Sequence, residues 1–144
     1  MGKKVEVIPF DNKSEKQEAA NAVERLISRE NVNVIIGSYG SSLSMSGGPV
    51  ALDNKTAVIG CSPTNPAVTL DNDYYFRVCF IDPFQGTVMS NYAIDTLDAK
   101  TAAIVQDVQQ DYSVGLSAYF KKAFVKSNGE DSIVAQLNYN TGDK

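Results

Sequence analysis

The stretch VIIGSYGSSLSMS, Val34 to Ser46, turns from apolar to small and hydroxylated within one residue. Val34, Ile35, Ile36 and Gly37 read as a short strand whose continuous apolar run suits a parallel sheet buried on both faces. Ser38, Tyr39, Gly40, Ser41, Ser42 and Ser44 follow at its carboxyl end. In open α/β sheets ligands bind at that edge. There the N–H groups opening the next helix attract anions, and small residues let a ligand approach. A polar turn after a core strand is the plainer reading of the same residues, and both stand at this point.

Upstream, Lys4 to Phe10 (KVEVIPF) alternates and then turns apolar, which predicts a strand. Ser14-Glu15-Lys16-Gln17 fits a capping box, in which Ser14 and Gln17 would each satisfy an unpaired N–H. Ala19, Ala20, Val23, Leu26 and Ile27 recur at helical spacing, so an amphipathic helix is expected from Glu15 to Arg29. Together with residues 34–37 this makes a βαβ unit with a right-handed crossover.

Downstream, Leu43 to Asn54 reads as a short helix made irregular by Gly47, Gly48 and Pro49. The strand Thr56 to Gly60 leads into Cys61-Ser62-Pro63-Thr64-Asn65-Pro66, a second small polar loop at a strand end. A proline-stiffened connector would look the same. Parallel strands, however, would carry both hydroxyl-rich loops to one sheet edge. Tyr74 to Ile81 (YYFRVCFI) is a strand by its aromatic and β-branched content, with Arg77 an exposed or paired charge. Asp82-Pro83 opens a helix whose apolar face would be Phe84, Val88, Met89, Tyr92 and Ala93. A strand at 101–105, a polar loop at 106–113, a helix from about Tyr112 to Lys126 ended by Asn128-Gly129, and a last strand at 132–139 complete the pattern. Alternating strands and helices predict an α/β fold, a three-layer α/β/α arrangement around a mainly parallel, doubly wound sheet.

The chain has 144 residues, 43% of them hydrophobic and 21% charged, with 17 acidic and 13 basic residues for a net charge of −4. That balance and the lack of a basic stripe argue against a nucleic-acid partner. No apolar run approaches the roughly 20 residues of a membrane span. Met1-Gly2-Lys3-Lys4 leads directly into the first strand, so no signal peptide is expected in this chain. Cys61 and Cys79 sit in apolar contexts and read as small buried side chains, with a disulfide left open. The sequence contains no histidine, which removes His-based metal sites and Ser-His or Cys-His nucleophiles. The glycine motifs of nucleotide-binding and hydrolase sheets are missing too. Asp107 and Asp111 are better read as solvated loop charges than as an acid–base pair. The residues therefore predict no enzyme, no catalytic residue, no metal and no cofactor.

The serine loop, CSPTNP and NDYYFRVCFIDPFQG, in that order, resemble the type I periplasmic solute-binding proteins of ABC importers. The resemblance is to the branch for leucine, isoleucine, valine and related amino acids. DNKSEKQEAANAVERLI and DVQQDYSVGLSAYF are similar to the same family. The resemblance implies a small-molecule amino acid as ligand, membrane subunits of an ABC transporter as partners of the full-length protein, and an extracytoplasmic location. It implies that the first lobe grips the α-carboxylate and α-ammonium through the two loops. Carried over, this gives the Ser41 hydroxyl and N–H, the Ser62 backbone and the Thr64 hydroxyl. Tyr112 matches an aromatic of the second lobe that covers the ligand, and Tyr39 is a further contact.

Members of that family begin with one more strand and helix and continue past the equivalent of Lys144. The resemblance therefore implies an internal, truncated piece: residues 1–81 from lobe one and 82–144 from lobe two, or both merged into one compact domain. Binding would be weak or absent, since the family's ammonium-pairing groups lie in the part not matched. The alternative is an α/β association module with no ligand. In the family a central strand lies between the counterparts of Lys4–Phe10 and Val34–Gly37. Its absence would leave unpaired backbone that a second copy could cover, so a homodimer is expected.

Overall fold

A computed structural model of the chain describes residues 2–143. The first half contains helix α1 (Lys16–Ser28), strand β1 (Val34–Ile36), helix α2 (Ser41–Asp53), strand β2 (Ala57–Gly60), a 3-10 turn at Pro66–Val68 and strand β3 (Tyr75–Arg77). The second contains helix α3 (Asp82–Asn91), a wide π turn at Tyr92–Thr96, strand β4 (Ala102–Asp107), helix α4 (Asp111–Asn128) and strand β5 (Ile133–Tyr139). Among the described residues the strands make two sheets, β1-β2-β3 and β4-β5, and every pairing is parallel. The α/β fold with parallel sheets is therefore as the alternation predicts. The two sheets do not merge into one.

The core of the first half is Val23 from α1, Ile35, Val58 and Tyr75 from three successive strands, Ala51 from α2 and Val68. Ile35 pairs with Val58, and Val58 with Tyr75, so one sheet face meets the helices. The other face carries Val34, Ile36 and Phe76, all exposed. The strand at 34–36 is thus buried on one face rather than two. Helices α1 and α2 cross closely because Gly47 has no Cβ, which would stand 2.8 Å from Val23 Cγ2. The Gly47-Gly48-Pro49 run does not make α2 irregular at its start. The helix begins at Ser41 and runs through it, losing only the bond the Pro49 nitrogen would have made.

Five other expectations fail. Lys4–Phe10 forms no strand, because it has no neighbour to pair with; Val5 and Val7 are exposed. A groove of about 730 Å³ separates it from β1. Ser14 does not cap α1. It has a positive φ, and its N–H is held by Asn12 Oδ1 at 3.0 Å, so Asn12 organises the helix entry. The strand begun at Tyr75 stops at Arg77 instead of reaching Ile81, since its partner β2 ends at Gly60, opposite Arg77. Phe84, Val88, Met89 and Tyr92 are exposed; α3 instead buries Asp82, Gly86 and Ser90. A Cβ on Gly86 would lie 2.7 Å from the Phe120 nitrogen, so α3 meets α4 backbone to backbone. Cys61 and Cys79 are both free, and Cys61 is exposed rather than buried.

Candidate functional site

The serine loop and the 61–66 loop meet at the carboxyl edge of the first sheet, as parallel strands require. Gly40 N–H donates to Ser62 Oγ at 3.3 Å, and Asn65 N–H donates to Ser41 Oγ at 3.1 Å. These two bonds bring Ser41, Ser62 and Thr64 together. Helix α2 starts here with Gly40 at a positive φ and no side-chain cap, which leaves its first N–H groups free for an anion. Ser41 is buried; its oxygen accepts from Asn65, and its proton has no acceptor among the described residues, so it is free to donate. Ser41 is thus part of the loop's internal frame, and removing its hydroxyl affects stability as well as any ligand. Thr64 is buried too, and its hydroxyl has no partner among the described residues.

Tyr112 stands one residue into α4, half-exposed, with its hydroxyl accepting from Gln85 Nε2 at 3.1 Å. It is brought beside the first-half loops by its neighbour Asp111. The Asp111 N–H donates to Ser42 Oγ at 2.8 Å, its carbonyl accepts from Asn65 Nδ2 at 3.0 Å, and its carboxylate pairs with Lys16 at 3.0 Å. Burial would raise the Asp111 carboxyl, but hydrogen bonds from Lys16 and Ser42 outweigh it and hold the group below its ordinary range. Tyr39 is 79% exposed and flanks the loop without joining the contacts.

Three residues that the sequence did not single out hold the site. Asn65 caps the 3-10 turn through Ala67 N–H at 2.9 Å while its amide reaches Asp111. Arg77, read as an exposed or paired charge, donates to the carbonyls of Pro63 (3.0 Å), Asn65 (2.7 Å) and Pro66 (3.1 Å) and to Thr69 Oγ1 (2.6 Å). It therefore fixes the loop from below. Asp82 is fully buried, and its N–H donates to the Thr64 carbonyl at 2.9 Å. The Arg77 signal was a charge inside an apolar strand. Tyr75 adds a bond from its hydroxyl to the Gly37 carbonyl at 3.0 Å, beneath the serine loop.

The sequence profile of the periplasmic binding proteins matches residues 1–144. The chain belongs to this family. Membership implies an extracytoplasmic location, and the relatives are solute-binding proteins rather than enzymes. A curated relative, an amino acid binding protein of Pseudomonas aeruginosa, is 29% identical over 119 residues, 81% of this chain and 31% of its own length. Among solved structures, the leucine-binding protein LivK of Thermotoga maritima superposes with a TM-score of 0.92 at 42% identity, over 99% of this chain and 40% of that one. The branched-chain amino acid transporter substrate-binding protein LivJ of Streptococcus pneumoniae, in complex with isoleucine, gives 0.89 at 32% identity, over 99% and 39%. A solute-binding protein of an ABC transporter from Rhodopseudomonas palustris, in complex with 3,4-dihydroxybenzoic acid, gives 0.82 at 25% identity, over 96% and 37%. The chain thus spans about two fifths of the length of these structures.

Proposed function

We propose that this periplasmic binding protein chain carries the carboxylate-gripping part of the substrate-binding component of an ABC importer for branched-chain or related amino acids. The observation behind this reading is the junction of the uncapped α2 terminus, the free Ser41 proton and the pinned Thr64 loop. The ligands named for the two liganded neighbours, isoleucine and 3,4-dihydroxybenzoic acid, share a carboxylate and differ in almost everything else. A helix start with a hydroxyl donor suits what they share. Ser41, the Ser62 backbone and Thr64 hold the backbone groups of the amino acid, Tyr112 covers it, and Tyr39 lines the rim. The domain boundary falls at Ile81/Asp82, between the two sheets. In the complete protein the partners are the importer's membrane subunits.

Binding by this chain is weak. The two carboxyls beside these loops are not free to meet an ammonium, because Asp111 is paired with Lys16 and Asp82 is sealed from solvent. Lacking a charged partner typically costs about 2–5 kcal/mol, or roughly 30- to several-thousand-fold in affinity. Calorimetric titration with leucine, isoleucine and valine, and with small amides as controls, tests the reading. Weak saturable binding of the amino acids, lost in Ser41→Ala and Thr64→Val, is expected. Nanomolar affinity would refute the weakness, and no binding at millimolar ligand would refute the function.

A ligand-free association module is the second reading, favoured by the exposed Val34, Ile36 and Phe76 on one sheet face. Both readings include a homodimer, because such a face gains from a second copy. Sedimentation equilibrium at micromolar concentration checks this, and a monomer at every concentration contradicts it.

A further inference from the structure

Thr64 and Asp82 are adjoining groups, and each lacks what the other supplies. The Thr64 hydroxyl is buried with no partner, and both oxygens of the Asp82 carboxyl are buried with none. The backbone bond from Asp82 N–H to the Thr64 carbonyl holds the two residues together. Around the carboxyl, the other polar groups are committed. Arg77 is spent on the carbonyls of the loop, and Asn65 Nδ2 on the Asp111 carbonyl. Gly115 of α4 closes the far side, where a Cβ would stand 3.2 Å from Asp82 Oδ2. Buried polar atoms are almost always paired, and a hydroxyl has one proton to give and two lone pairs to offer.

We propose that Asp82 is a positioning residue that takes the Thr64 proton as a hydrogen bond and so turns the Thr64 oxygen into an acceptor facing the ligand. The inference rests on the amino-acid reading above and deepens it. Ser41 differs: its oxygen already accepts from Asn65 N–H, while its proton has no acceptor among the described residues. The two hydroxyls then differ by design of their neighbours: Ser41 donates to a carboxylate, and Thr64 accepts from an ammonium. A site of this polarity separates an amino acid from the plain carboxylic acid of the same shape. The Asp82 carboxyl is consistent with that arrangement. Burial raises it, and the Thr64 hydroxyl and Arg77 pull it partly back.

The test compares leucine with 4-methylpentanoate, which is leucine without its ammonium. Both are titrated into the chain and into Asp82→Ala, Asp82→Asn, Thr64→Val and the Thr64→Val/Asp82→Ala double variant. Asp82→Ala is expected to weaken leucine about tenfold, the loss of one well-placed hydrogen bond, and to leave 4-methylpentanoate nearly unchanged. Asp82→Asn keeps an acceptor oxygen and restores most of the leucine affinity. The double variant is no worse than Thr64→Val alone. Equal loss for both ligands, or effects that multiply in the double variant, would overturn the proposal. If neither ligand binds the unmodified chain, the amino-acid reading fails by itself. The pair is then judged by urea unfolding of the same variants without ligand. Coupling of about fivefold or more in the folding constant supports it, and strict additivity rejects it.

Discussion

The two halves of the molecule bury themselves in different ways. The first half has a sheet-and-helix core of six mutually packed residues, one from each of its six elements, and it spends its polar groups on framing two loops. The second relies on α3 lying backbone-close on α4, with Phe124 and Ile104 as its buried hydrophobic residues. Phe84, Val88 and Met89 on α3 and Val105, Val134 and Leu137 on the sheet stay exposed. A preformed loop frame needs a rigid floor, which the first half has. The second half is held to it through the start of α4, by Asp111 on Ser42, Asn65 and Lys16. The halves should therefore differ in how each responds to damage.

Phe124→Ala offers the sharpest way to separate them. Phe124 is fully buried, and such a truncation costs about 3–5 kcal/mol. Amide hydrogen exchange should show β4, β5 and α4 losing protection while β2 keeps it. Simultaneous loss in both halves would break the contrast. Next in size is Arg77→Met, which leaves the carbonyls of Pro63, Asn65 and Pro66 without their donor. A loss of about 1–3 kcal/mol is expected, read by urea denaturation, with a parallel loss of whatever amino-acid affinity the chain has.

A matched pair of glycine changes sharpens the comparison. At Gly86 a Cβ would meet α4 backbone, at 2.7 Å from Phe120 N and 2.8 Å from the Tyr119 carbonyl carbon. At Gly47 it would meet the end of the Val23 side chain. Gly86→Ala should cost about 1–3 kcal/mol, as overpacking does, and Gly47→Ala clearly less. Equal melting-temperature shifts would show that the second interface yields as easily as the first.

The smallest effect is at the joint. The lowered Asp111 carboxyl contributes above its ordinary value near 4, and this contribution is lost as pH falls through the lower folded value. Both partners are substantially exposed, so Lys16→Met should cost only about 0.2–1 kcal/mol, and less in high salt. Its melting temperature should converge with that of the parent as the solution is acidified. A difference that persists at pH 2 would mean that Lys16 acts through packing.

Element types were legible in the sequence because each helix and paired strand repeats its own signal: Ala19, Val23, Leu26 and Ile27 along α1, and the apolar run at 57–60 in β2. The two loops were legible because hydroxyl-rich residues follow apolar runs twice. What was missed depended on neighbours. Lys4–Phe10 has the pattern of a strand and lacks a partner. Phe84, Val88 and Met89 have the spacing of a buried face, yet the close approach at Gly86 turned α3 the other way. Arg77 showed only as a charge inside an apolar strand, and Asp82 carried no local mark at all, because their main-chain partners lie up to fourteen and eighteen residues away.

Along the outer edge of β1 the main chain is a template. Gly37 donates to Ile59 on β2, so by alternation the N–H groups of Val34 and Ile36 point away from it, toward the groove beside residues 4–10. Water satisfies them in dilute solution. When two chains approach edge to edge, the same groups and their exposed side chains hold them together. Apolar attraction weakens in the cold and is strengthened by sulfate. Concentrated samples should therefore cloud on gentle warming, sooner in sulfate than in chloride, while their helices are still intact. Three residues of β1, rather than the loops it presents, then set how long the protein keeps in the tube.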